Sequence, residues 1–548
     1  MEEIGMLVGY VSDERYVALA DALVEFERDE EMVAVVRSTP RGELFAEITP
    51  GAYRVTLVKP GFGNKSVRCE VVAGKPYQFR LLSDQLYGYA WPKWSRAGER
   101  TEFRVHSVES YQLSLWRYGE RKEFVRLLGW YDEHCPRAVM QITPDGDYTQ
   151  TGVGWNKIGY GNPDLTQFAA APERSGLYYF HAKTESGAFF SFPWVVAPAS
   201  PQAPIAVLAS TNTWNAYNNF GGRSNYINST RLPAAPIVNG RQDMLRYRTE
   251  SAFREWSFPD DAYAPLSLER PEPFNIVPEG TEVTDMIAGR QPNHLAPAEW
   301  RLLGWLEREG FTYDLYADHQ LHTGLLNLDA YRILIISTHP EYWSRAMYEQ
   351  VKEWVYKRGG KLMYLGGNGL NCEIEFLDDA TMRFKTHLAS GGGELGMVNP
   401  NNPADYLDSR FHRTVESEAN LLGVVTTHTG IMTAAPYQLG KADHWIFAGT
   451  GLRDGDLFGT ESQHERCHGG ASGHETDKMS ASTPPNTVLL AKGTNPDNGG
   501  SEMVYYEVPE SGGAIFSVGS ITYPSSLLVD AHISRVTANV ITRFLSER

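Results

Sequence analysis

Residues 205–226 read IAVLASTNTWNAYNNFGGRSNY, and the parsing of that string decides the fold. Its first five residues, Ile205-Ala206-Val207-Leu208-Ala209, form a short apolar run that follows Pro201 and Pro204. A run of that length between turn signals reads as a buried strand. The string then becomes polar, aromatic and glycine-containing through residues 210–222, which reads as a loop. In an open α/β sheet, ligands bind beyond the carboxyl ends of the strands. The alternative is a solvated turn, but Trp214, Tyr217 and Phe220 are costly to leave in water. The loop is therefore a candidate site.

Downstream, strands and helices alternate. Residues 296–309 have helical periodicity, and Gly310 suits the C-terminal cap. Residues 311–316 and 332–337 read as strands. Residues 344–358 read as a helix stopped by Gly359-Gly360, and 361–365 as the next strand. Residues 445–447, 503–506 and 514–518 extend the sheet, and a helix over about residues 534–545 closes it. This order predicts a doubly wound α/β domain with a parallel sheet over residues 203–548. Three strand ends then empty onto one edge: that before Tyr217, that before Thr338-His339-Pro340-Glu341, and that before Gly366-Gly367-Asn368-Gly369. Taken alone, His339 and Glu341 could be first-turn groups of the helix that Ser344 caps. Their shared edge with Tyr217 argues for a site.

Upstream the chain is β throughout. Residues 1–85 and 86–200 alternate at strand period between turn signals, which predicts two N-terminal β-sandwich domains. The first resembles transthyretin-like or carboxypeptidase-regulatory-like domains, and the second is expected to be immunoglobulin-like. Ala197-Pro198-Ala199-Ser200-Pro201 is a stiff linker. With 548 residues, the chain has room for two to four domains. A net charge of −17 argues against nucleic acid or an anionic membrane as partner. No stretch is apolar enough to span a bilayer, and the N-terminus lacks the pattern of a signal peptide. Cys69, Cys135, Cys372 and Cys467 are widely spaced, as expected for a reduced, cytoplasmic protein.

STNTWNAYNNFGG at residues 210–222 and HPEYWS at residues 339–344 together resemble the catalytic domain of the large subunit of N,N-dimethylformamidase. The resemblance covers residues 203–548. It implies an amidohydrolase that cleaves a small amide such as N,N-dimethylformamide into formate and dimethylamine. It also implies a fold similar to class I glutamine amidotransferases, and a mononuclear ferric, non-haem iron held by two tyrosines and one glutamate. Carried over by position, Tyr217 resembles the first tyrosinate ligand, Glu341 the carboxylate ligand, and His339 a histidine beside them. Asn368 and Glu475 resemble further polar residues of that site. The second tyrosine should lie between the two motifs. Tyr263 best suits its position, while Tyr226, Tyr247 and Tyr316 compete. A homo-oligomer is expected, and the need for a separate small subunit is left open.

The residue chemistry agrees with that implication. Phenolates and a carboxylate are hard anionic oxygen donors suited to a trivalent ion, and a Lewis-acidic metal with open positions can polarise an amide. Hydrolysis also needs a base for water and a proton for the departing amine, roles that Glu475 in Gly473-His474-Glu475-Thr476 could serve. Trp214, Phe220, Tyr342 and Trp343 suggest an aromatic-lined pocket for small apolar amides. Residues 464–474, HERCHGGASGH, contain zinc-type ligands but no paired CxxC or HExxH, and read better as a functional glycine-rich loop. Two rivals remain. Cys372 could be a nucleophile, although the glycine elbow carries Asn368 instead. The chain could also be a binding module on the same scaffold. A stoichiometric ferric ion is expected only for the amidohydrolase.

Overall fold

The computed structural model describes residues 5–131, 140–157, 167–238, 258–286, 294–386, 397–399, 402–427 and 429–547. Tyr247 and Cys135 lie outside the described residues.

Two pairs of β-sheets come first. Leu23–Arg28, Glu31–Arg37, Gly51–Val58 and Lys65–Val71 form a four-stranded sheet, and Met6–Ser12, Glu43–Ala46 and Tyr77–Arg80 a three-stranded one. Alternate residues of both, including Val11, Val24, Phe26, Val55, Leu57 and Phe79, meet in one apolar core. A five-stranded and a three-stranded sheet follow, built from strands between Tyr87–Trp91 and Phe189–Ala197. Their core contains Phe103, Leu113, Phe180, Phe192 and Trp194.

The rest of the chain is organised by a nine-stranded sheet. Its order is Tyr313–Ala317, Ile205–Ala209, Ile333–Thr338, Lys361–Gly366, Gly513–Ser517, Glu502–Val508, Val488–Gly493, Tyr437–Leu439 and Leu457–Phe458. The first five strands are parallel to their neighbours, and the last four pair antiparallel. Ile205–Ala209 is buried at every position, as its unbroken apolar run requires. The chain runs from it to the neighbour on one side, Tyr313–Ala317, and returns to the other side as Ile333–Thr338. That reversal makes a topological switch point beside the carboxyl end of Ile205–Ala209.

The helices Ala296–Arg308, Arg345–Arg358 and Ala531–Ser546 fall close to where periodicity puts them. Ser344 accepts the Met347 N–H at 3.3 Å and caps its helix, and Gly359 ends it with φ of 77°. Two local expectations need correction. Residues 211–217 are not loop but a short helix, Thr211–Tyr217. Its amino end is held by buried acids, since Asp318 accepts the Asn212 N–H at 2.9 Å and Glu299 accepts the Ser210 N–H at 3.3 Å. Trp445–Phe447 is a 3₁₀ turn rather than a strand.

The parts interlock at the segment after Thr211–Tyr217. Phe220 is buried in the core of the second sheet pair, with its ring edge-on to Tyr87 at 5.3 Å. The Gly221 N–H donates to the Glu14 carbonyl at 2.6 Å, and its own carbonyl accepts from Arg80 at 3.1 Å. Among the described residues, no helix is long and apolar enough to cross a membrane.

Candidate functional site

The switch point gathers acidic oxygens from distant parts of the chain. The Tyr217 hydroxyl, at the end of the short helix, lies 3.1 Å from Glu341 Oε2. The Tyr226 hydroxyl lies 2.9 Å from that of Tyr217 and 3.4 Å from Glu341 Oε1. The chain between the two tyrosines turns back on itself, and the Asn225 N–H donates to the Ala216 carbonyl at 2.7 Å. Glu341 follows Ile333–Thr338 and is 1% exposed. Its backbone N–H donates to Thr213 Oγ1 at 3.2 Å, which ties its loop to the short helix.

A second group sits against the first. His339 Nε2 lies 3.2 Å from Glu341 Oε2 and 3.1 Å from Glu475 Oε2. Asn368 Nδ2 donates to the same Glu475 oxygen at 2.7 Å. The Asn368 backbone N–H donates to Asp477 Oδ1 at 2.9 Å. Gly367 lets the two loops approach, because a Cβ there would lie 2.4 Å from the Glu475 carbonyl oxygen. Thr338, Asn368 and His474 hold φ of 62°, 51° and 69°. Left-handed backbone at three non-glycine residues beside His339 and Glu475 is strain concentrated at one place, as functional sites show.

The electrostatics follow from crowding. Burial, then the charges of Glu341, Tyr226 and Glu475, push the Tyr217 hydroxyl well above its ordinary value. Burial pulls His339 down, but Glu475 and Glu341 outweigh it and raise it to about 10. Burial lifts Glu475, but His339 with its hydrogen bond outweighs it and holds the carboxyl below the usual range. His294, buried and 3.0 Å from His339 between Nδ1 atoms, is pushed down by burial and then by His339 and His474. Most of the cluster is closed to solvent. Tyr217, Tyr226 and Glu475 keep partial exposure, so the site opens on their side.

Several expected residues meet here and others do not. Tyr217, Glu341, His339, Asn368 and Glu475 converge. Tyr263 was the favoured second phenol, but Tyr226 occupies the place beside Glu341. Tyr263 follows the turn Asp260–Ala262, its hydroxyl accepts the Phe258 N–H at 3.1 Å, and its ring packs on Phe384. The expected aromatic pocket is also corrected. Trp214, Phe220 and Trp343 are buried in three separate apolar cores, because the segment after Ile205–Ala209 sends Trp214 and Phe220 to different layers and Trp343 enters a third from the strand Tyr342–Ser344. Trp214 Nε1 donates to Glu299 at 2.8 Å instead of facing a ligand. Cys372 is buried with Tyr263, Tyr342 and Phe384, and burial pushes its thiol up, away from a nucleophilic thiolate. His294 was missed. In the sequence Pro292-Asn293-His294-Leu295 it belongs to no motif, so nothing local marks it.

Close by, His464, Cys467 and His474 bring three ligand atoms within 4.8 Å of one another, all three residues buried. This cluster could coordinate a metal. As it stands, the Cys467 backbone N–H donates to His464 Nδ1 at 3.0 Å, and His464 Nε2 lies 3.1 Å from His474 Nδ1.

Comparison with known proteins bears on this arrangement. A family model described as N,N-dimethylformamidase beta subunit-like, C-terminal, matches residues 123–535. The N,N-dimethylformamidase beta subunit of Paracoccus aminophilus is 28% identical over 297 residues, covering 46% of this chain and 37% of that protein. The beta subunit from Alcaligenes sp is 27% identical over the same shares. The match thus spans little more than a third of these relatives. They also correct the subunit expected from the motifs, since both are beta subunits and neither is named a large, catalytic one. Among solved structures, a cold-adapted β-galactosidase from Rahnella sp. R3 aligns at a TM-score of 0.26 and 10% identity, over 46% of this chain and 27% of its own. Nothing is carried from a likeness at that level. With the model covering most of its length, the chain belongs to the N,N-dimethylformamidase beta subunit-like, C-terminal family.

Proposed function

We propose that the chain is a metal-dependent hydrolase of small N-substituted amides, with N,N-dimethylformamide as the first substrate to test. Family membership and the relatives' name support the amide chemistry. The observation that carries the metal is the meeting of two phenols and a carboxylate within 3.4 Å of one another. The three side chains come from separate segments and meet at hydrogen-bond distances, with oxygen donors only between them. Hard anionic oxygens fit a ferric ion, and the proposed ligands are Tyr217, Tyr226 and Glu341. Bound there, the ion would supply a Lewis acid that polarises the amide carbonyl.

The remaining residues manage protons. Glu475 accepts from Asn368 and faces His339, so its carboxylate is oriented before substrate arrives. In this reading it takes the proton of the attacking water and returns one to the departing amine, while His339 holds it by a hydrogen bond at 3.1 Å. The relatives' designation as beta subunits supports a second, different chain as partner. A homo-oligomer, the class I glutamine amidotransferase-like scaffold and domain limits at 85/86 and 200/203 are carried as proposals alongside.

The test is metal analysis of the purified protein with an assay of formate release from N,N-dimethylformamide. About one iron per chain and formate release support the reading. Zinc alone, lost in Cys467→Ser and kept in Glu341→Ala, would move the metal to the His464–Cys467–His474 cluster.

A further inference from the structure

Both ring nitrogens of His339 are engaged. Nε2 faces Glu341 and Glu475, and Nδ1 faces Nδ1 of His294 at 3.0 Å. Only one of two facing Nδ1 atoms can carry the shared proton, so one imidazole donates and the other accepts. The contact therefore fixes the planes of the two rings relative to each other.

His294 is placed to do more than fill space. It is 3% exposed, and its ring stands edge-on to Tyr217, with centroids 4.5 Å apart at 80°. It also lies edge-on to His474, at 5.3 Å. It is separated by Leu295 alone from the helix Ala296–Arg308, whose Ala296 N–H donates to Asn275 Oδ1 at 3.2 Å. One turn on, Glu299 of that helix accepts from Ser210 and Trp214, at the start of the short helix that carries Tyr217. A single segment, residues 294–299, thus holds the phenol through Glu299 and the proton-handling histidine through His294.

We propose that His294 is a positioning residue that locks the imidazole of His339 between Glu341 and Glu475 while bracing the ring of Tyr217. The inference rests on the amide-hydrolase reading for its kinetic consequence, but not for the hydrogen bond itself.

Three variants separate its two contacts. His294→Phe keeps a ring against Tyr217 and removes the hydrogen bond, His294→Asn keeps a polar atom near the place of Nδ1, and His294→Ala removes both. In the iron-loaded protein, His294→Phe should keep its iron and its phenolate-to-metal colour while kcat falls about 10–100-fold with KM little changed. His294→Asn should recover most of that loss. In metal-free protein labelled with ¹⁵N-histidine, the Nδ1 signal of His339 should lose its hydrogen-bonded character in His294→Phe and retain it in His294→Asn. An unchanged His339 signal, or a kcat for His294→Phe close to the parent, overturns the proposal. If the parent hydrolyses no amide, the ¹⁵N measurement still decides the contact, so failure of the functional reading and of this inference are told apart. If His294→Phe does not fold, the comparison of His294→Asn with His294→Ala carries the same test.

Discussion

The Tyr217 hydroxyl and Glu341 Oε2 are 3.1 Å apart, although 124 residues separate them in the chain. Parallel strands on either side of the switch point produce this meeting. Ile205–Ala209 and Ile333–Thr338 run side by side in register, so whatever follows each strand arrives at one crevice. The site's chemistry follows from which residues those are.

The first prediction concerns the second phenol. Tyr226→Phe should lose most of the iron and the visible absorption, while Tyr263→Phe should retain both. Metal content and the visible spectrum decide between them, and the reverse pattern would return the role to Tyr263.

Proton handling is the second. Glu475→Gln keeps the acceptor for Asn368 but removes the base, so iron content should be normal and kcat should fall about 10²-fold or more. Turnover near the parent's would pass the role to His339.

Burial raises the Glu299 carboxyl from 4.5 to about 8, against the hydrogen bonds from Trp214 and Ser210. Between those values the folded state holds a proton that the unfolded chain releases. The stability this gives is complete below the lower value and is lost as pH rises through the higher one. Glu299→Gln should remove up to about 1.4 kcal/mol per pH unit of that decline across the window. Denaturant unfolding at pH 5 and pH 8 measures it. Equal pH slopes in parent and variant would show that Glu299 ionises normally.

The buried thiol gives a fourth. Cys372→Ser should fold and keep its activity, because the Cys372 thiol sits among apolar rings with its pKa pushed up. Inactivation by one equivalent of a thiol reagent at Cys372 would restore a cysteine nucleophile.

Local signals in the sequence were enough for much of the framework. The apolar run of Ile205–Ala209, the periodicity of Ala296–Arg308 and the Ser344 and Gly359 caps are short-range features, and their elements form where those features lie. The same signals put Tyr217, His339, Glu341 and Asn368 on one edge, because strands alternating with helices run parallel and end on the same side of the sheet. What the sequence could not settle depends on packing between segments far apart in the chain. Residues 211–217 looked like loop because their helix draws stability from Glu299 and Asp318, about a hundred positions away. Trp214, Phe220 and Trp343 looked like pocket walls because composition does not say which layer a side chain enters. The choice of Tyr226 over Tyr263, and the presence of His294 at all, rest on contacts with no sequence spacing to announce them. Period and capping are properties of neighbouring residues. The grouping of side chains from distant segments is a property of the folded chain, and only the tertiary structure decided it.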